Sequence, residues 1–87
     1  MPEISRFLGI IIRMYFKDHN PPHFHVTYEK YEASIKIDDF SIMDGNLPTR
    51  IHSLVIEWAL PHKTELLDNW NRIKVLNTNP EKIEPLV

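Results

Sequence analysis

The chain has 87 residues, ten Lys plus Arg against twelve Asp plus Glu, and a formal net charge of −2. That length allows one small core and no second domain, and the near-neutral charge counts against a protein whose main work is gripping a phosphate backbone. With no cysteine, disulfide stapling, thiolate catalysis and Cys-ligated zinc are excluded together. A hydrophobic fraction of 43% beside 25% charged residues is that of a globular chain and too apolar for a disordered one. A domain of this size hides only about 60–65% of its unfolded surface, so its margin of stability is expected to be thin, and a homodimer or a partner chain would widen it. The longest apolar run, Phe7 to Ile12, is closed by Arg13. It is too short for a membrane span of about 20 residues or for a secretory leader, so a cytoplasmic location without a membrane partner is expected.

Taken in order, Ser5 to Lys17 is rich in β-branched and aromatic residues and reads as a strand with a bulge or bend at Gly9. After Gly9, alternation puts Ile10, Ile12, Met14 and Phe16 on one face and Ile11, Arg13, Tyr15 and Lys17 on the other. Asp18-His19-Asn20-Pro21-Pro22 is a stiff connection that cannot be strand interior. His23 to Tyr28 alternates again, with Phe24, Val26 and Tyr28 opposite His23, His25 and Thr27. A turn near Glu29-Lys30 leads to Glu32–Asp38, where Ala33, Ile35 and Ile37 form the dry side. Phe40 to Met43 is a short fourth candidate before Asp44-Gly45-Asn46 turns the chain. Short connections favour an antiparallel meander with one dry face.

The second half changes period. Ile51, Leu54, Val55 and Trp58, then Leu66, Trp70, Ile73 and Leu76, have the spacing of one helix face. Pro2 and Pro48 mark element starts, and Pro48 suits a first helical turn. Pro61 kinks one long helix or separates two. Asn77-Thr78-Asn79-Pro80 stops the helix. The expected fold is therefore α+β: a three- to four-stranded antiparallel sheet packed against C-terminal helices in a two-layer single domain. Within residues 1–87, the meander takes 1–46, the helical segment 47–78 and a tail 79–87.

Five histidines are many for this length, and three lie within Asp18-His19-Asn20-Pro21-Pro22-His23-Phe24-His25. Strand alternation places His23 and His25 on one face, about 6–7 Å apart along the backbone. Arg13, Tyr15, Ser34 and Lys36 share that polar face. Imidazoles beside cationic donors suit acid–base phosphoryl chemistry, so His23, His25, Arg13 and Lys36 are the catalytic candidates for a metal-independent ribonuclease-like reaction. The same His-x-His pair is also what a polar sheet face looks like when residues merely pair across strands. No cofactor is expected; if a metal binds, His19, His23 and His25 are the expected ligands and zinc the expected ion. Asp18 either orients an imidazole or caps the turn. On a continuous helix His62 faces the core, whereas His52 and Glu57 face solvent, and Asp68 and Arg72 form an i,i+4 pair. Trp58 and Trp70 are core or interface anchors rather than a base-stacking platform. Neither a phosphate-cradling glycine loop nor a nucleophile elbow is present.

Met-Pro-Glu-Ile-Ser-Arg-Phe, Gly9-Ile-Ile-Ile-Arg-Met-Tyr-Phe16, Asp18-His-Asn-Pro-Pro-His-Phe-His25, Glu57-Trp58 and Asn69-Trp70 together resemble the small bacterial family called domain of unknown function 4160. The Asp-His-x-Pro-Pro-His-Phe-His stretch is the most specific part, and the resemblance extends to the Lys82-Ile-Glu-Pro-Leu86 tail. It implies a neighbouring small partner protein of domain of unknown function 2442, some versions of which carry a helix-turn-helix. That pairing implies a toxin–antitoxin-like module in which this chain is the toxin-like effector. A protein-interaction module without catalysis and a metal-binding regulator are the other readings.

Overall fold

The computed structural model describes residues 3–87, so Met1 and the punctuation expected at Pro2 lie outside the described residues. Glu3–Phe7 (β1), Ile10–Arg13 (β2), His23–Tyr28 (β3), Tyr31–Lys36 (β4) and Ile42–Gly45 (β5) form one antiparallel sheet in sequence order. Thr49–Ala59 (α1), a 3-10 turn at Leu60–His62 and Lys63–Lys74 (α2) follow. The fold is α+β as expected, with five strands in place of three to four. Among the described residues no helix is long and apolar enough to cross a membrane.

The additional strand comes from the stretch expected to run unbroken from Ser5 to Lys17. Leu8 and Gly9 both take positive φ, 51° and 79°, and pair Phe7 directly with Ile10. Two successive left-handed residues make a hairpin turn whose twist matches that of the strands, so the chain reverses where a bend was expected. The dry face is as the alternation places it. Ile10, Ile12, Met14, Phe24, Val26, Ala33, Ile35 and Ile37 are buried, while Phe16, beyond the end of β2, is exposed. The last strand is shifted to Ile42–Gly45, because Phe40 turns back at φ 60° and buries its ring instead.

The helical stripe of Ile51, Val55, Trp58, Leu66, Trp70 and Ile73 is buried. Trp58 sets its ring 5.5 Å from Phe7 and 6.0 Å from Phe24, locking the helical layer onto the sheet. The 3-10 turn at Pro61 rotates the register, so His62 is half-buried against Trp58 and its Nδ1 meets Glu65 Oε1 at 2.5 Å. Leu76 lies past the helix end and is exposed. His52 is not a free surface residue: its Nε2–H donates to Phe40 O at 2.8 Å and ties α1 to the turn before β5. Arg72 is placed 3.9 Å from Glu81 rather than paired with Asp68.

Residues 79–87 have no regular secondary structure, yet they are fastened. Ile83 is buried and its N–H donates to Ile4 O (2.8 Å) at the outer edge of β1, while Trp58 Nε1–H donates to Glu84 O (2.8 Å). Asn69, 2% exposed, brackets Glu81 by donating Nδ2–H to its carbonyl (2.9 Å) and accepting its N–H at Oδ1 (2.8 Å). This segment covers an otherwise open sheet edge. Replacing Asn69 by Ala removes both bonds of the bracket and is expected to cost about 1–3 kcal/mol. Native-state hydrogen exchange should show early loss of protection at Glu81 and Ile83; unchanged protection there would mean that the bracket does not hold the segment.

Candidate functional site

β2 ends at Arg13 and β3 begins at His23, and the loop between them doubles back beside the strands. Its geometry is set by Asp18. The Asp18 N–H donates to Tyr15 O (3.2 Å), and its Oδ2 accepts the Tyr15 N–H (3.1 Å), a reciprocal closure of the turn. The Asn20–Pro21 peptide is cis. From α2, Lys74 donates its ammonium to the carbonyls of Phe16 and Asp18 and lies 5.6 Å from the centre of the Trp70 ring. These contacts hold the Asp18 carboxylate, only 11% exposed, over the start of β3.

There it meets two imidazoles. His25 Nε2 lies 2.9 Å from Oδ1 and 3.0 Å from Oδ2 of Asp18, and His23 Nε2 lies 3.6 Å from Oδ1. A carboxylate only accepts, so the proton of neutral His25 belongs on Nε2. Its Nδ1 is then the bare nitrogen, facing Ser34 Oγ at 3.4 Å. His23 has the opposite tautomer, because its Nδ1–H must donate to Pro21 O at 2.8 Å. The rings of His23 and His25 are 5.1 Å apart. Trp70 closes on His23 at 5.3 Å and the Tyr15 ring stands edge-on to His25 at 4.6 Å. His23 is buried, whereas the His25 side chain is 28% exposed at the floor of a groove of about 380 Å³ lined by Tyr15, Thr27, Glu32, Ser34 and Asp44. Behind Asp18 runs a larger cleft of about 840 Å³, bounded by Tyr15, Phe16 and Lys17 on one bank and by Asn79, Pro80 and Lys82 on the other.

The sequence candidates separate accordingly. His23 and His25 come together. Arg13 is the β2 neighbour of His25 in the sheet register, and its Nη1–H donates to Thr27 Oγ1 (3.3 Å) on the side of His25 away from Ser34. Lys36 is opposite His23 in β4, but it lines a separate cleft with Pro21, Pro22, Asp38, Lys63 and Leu67. His19 is exposed and stands outside the cluster, its place taken by Asp18. Asp18 thus both caps the turn and grips the imidazole. The contributions of Trp70 and Lys74 carry no local signal in the sequence, since they arrive from α2 across the fold. Elsewhere, two surface carboxyls are held below their ordinary range, Glu3 mainly by the Arg6 guanidinium (2.8 Å) and Asp39 by the Ser41 hydroxyl and amide.

A small α+β domain with a half-open Asp–His–His cluster at the end of its sheet is the class that fold and site define. The chain belongs to the family described as a domain of unknown function (DUF4160), which matches residues 9–71. The match holds all three cluster residues together with Ser34 and Trp70, and stops before Lys74 and the segment fastened to β1. No curated protein and no solved structure matches the chain.

Proposed function

We propose that this chain is the toxin-like effector of a two-gene module, and that His25, held by Asp18, is the general base of a site cleaving RNA phosphodiesters. One observation carries the reading: both oxygens of a nearly buried carboxylate grip His25 Nε2, leaving Nδ1 bare at the floor of an open groove. An imidazole so oriented takes a proton from a 2′-hydroxyl at Nδ1 and Asp18 stabilises the cation that results; the 2′-oxygen attacks phosphorus, the P–O5′ bond breaks to leave a 2′,3′-cyclic phosphate, and the departing 5′-oxygen takes its proton from water. Ser34 holds Nδ1 when no substrate is bound. Glu32 and Asp44 make the β4–β5 bank of the groove acidic, and Arg13, the β2 neighbour of His25 in the sheet register, supplies the compensating charge for a phosphate. His23 is buried behind His25 and does not meet substrate. Lys36, lining another cleft, has no part in the step. The cognate partner, resembling domain of unknown function 2442, restrains the effector.

The test is induction of the wild-type chain in a bacterial host beside soluble, folded His25→Ala and Asp18→Asn variants, with purified RNA assayed in parallel. The wild type is expected to arrest growth and His25→Ala to release it, with cleavage lowered about 10²- to 10⁴-fold. Cleavage that survives His25→Ala overturns the mechanism. Arrest by all three forms points to toxicity through binding, and no arrest by any form favours the interaction module.

A further inference from the structure

We propose that Asp18, His23 and His25 form a binding site for one divalent transition-metal ion of zinc-like preference. One donor atom from each residue can be chosen so that all three lie within 4.8 Å of one another, and Oδ1 of Asp18 is 2.9 Å from His25 Nε2 and 3.6 Å from His23 Nε2. A tetrahedral zinc ion with ligands at about 2.0–2.2 Å keeps its donors about 3.3–3.6 Å apart, close to the longer of those two separations.

The second observation is the direction of His23. Its Nδ1–H is committed to Pro21 O, so a neutral ring turns a lone pair toward Oδ1 of a carboxylate, two acceptors facing each other in a buried setting. A cation between them removes that conflict. Donation of the far ring N–H to a carbonyl is also how metal-bound imidazoles are ordinarily oriented. The other ligands are backed in the same way, Asp18 by the Tyr15 N–H and His25 by Ser34 Oγ. Lys74 does not compete for the position, because its ammonium is spent on loop carbonyls. Two imidazoles with one carboxylate favour zinc, nickel or copper over magnesium or calcium. Three protein ligands leave a coordination position open.

Metal binding and base catalysis through His25 exclude each other. An ion on Nε2 moves the ring proton to Nδ1, which then donates to Ser34 and can accept nothing from a substrate. The ion therefore acts as a regulator that silences the site, although its binding does not depend on the site cleaving RNA.

The experiment is calorimetric titration of the metal-stripped full chain with zinc, beside Asp18→Asn, His23→Gln and His19→Ala. The wild type is expected to take one equivalent with Kd below about 1 µM. Asp18→Asn and His23→Gln should each weaken it at least about 10-fold, and His19→Ala should leave it unchanged. Should the buried variants unfold, nitrogen-detected imidazole spectra of the wild type serve instead, with zinc expected to shift Nε2 of both His23 and His25. No binding below about 100 µM overturns the site. So does binding that survives Asp18→Asn, or zinc shifts confined to His19 or His62. Zinc binding in a chain that cleaves no RNA removes the proposed reaction and leaves the site; cleavage without zinc binding does the reverse.

Discussion

Trp58→Ala is expected to lower stability by about 3–5 kcal/mol, the cost of emptying a fully buried aromatic site. A domain of this length carries only about 4–13 kcal/mol in total, so the variant is expected to be largely unfolded in mild denaturant. Trp58 is 1% exposed and packs against Phe7 of β1, Phe24 of β3 and His62 of the 3-10 turn. Its removal therefore loosens the sheet and helix layers together. It also strips Glu84 O of its donor, releasing the segment over β1. Trp58→Phe separates the two effects: the ring contacts are largely kept and the hydrogen bond is lost, for about 1–2 kcal/mol. Urea unfolding followed by circular dichroism measures both, with Trp70 as the remaining fluorophore in each variant. A loss below about 1 kcal/mol for Trp58→Ala would show that this contact does not hold the layers together.

Most of what positions Trp58 is legible in local pattern, because a period is a local property. Alternation from Ile10 to Ile37 marked the dry face of the sheet, and the spacing from Ile51 to Ile73 marked the helical stripe. What escaped is held by single contacts between distant residues. Leu8 in a left-handed conformation has no propensity to announce it, so Gly9 alone reads as a bend and β1 merges with β2. The residues after Asn77 show no period because side chains fasten their backbone, Asn69 to Glu81 and Trp58 to Glu84. His52 reads as solvent-facing until the Phe40 carbonyl turns up beside it.

The site divides along the same line. Alternation brought His23 and His25 to one face, and composition marked the cluster. Nearness in sequence groups His19 with them, whereas the turn closed between Tyr15 and Asp18 aims the carboxylate, and not His19, at the rings. Burial of His23 depends on Trp70, more than forty positions along the chain, and no strand pattern contains it.

Gly45→Ala is expected to cost about 2–5 kcal/mol and to detach β5, far more than the same change at Gly9. Both glycines have positive φ, 79° at Gly9 and 78° at Gly45, so the conformational penalty is shared, about 1–2 kcal/mol. The surroundings differ. A Cβ at Gly9 would meet the Tyr28 ring at 3.6 Å, an ordinary contact, but at Gly45 it would fall 2.1 Å from Glu32 O and 2.9 Å from Ala33 Cα. Backbone cannot swing aside as a side chain does, so β5 has to leave its register against β4. Asp44, which pairs with Ser34 there, leaves with it, and Glu32 alone remains of the acidic bank of the His25 groove. The metal ligands sit on β3 and the loop before it and should keep their geometry. Zinc affinity is therefore expected to be unchanged in a Gly45→Ala protein that remains folded, while amide exchange along β5 rises. Equal urea midpoints for the two glycine variants would mean that the close approach at Gly45 is relieved without displacing the strand. A fall in zinc affinity with the β5 amides still protected would mean instead that the cluster leans on this edge of the sheet through Ser34.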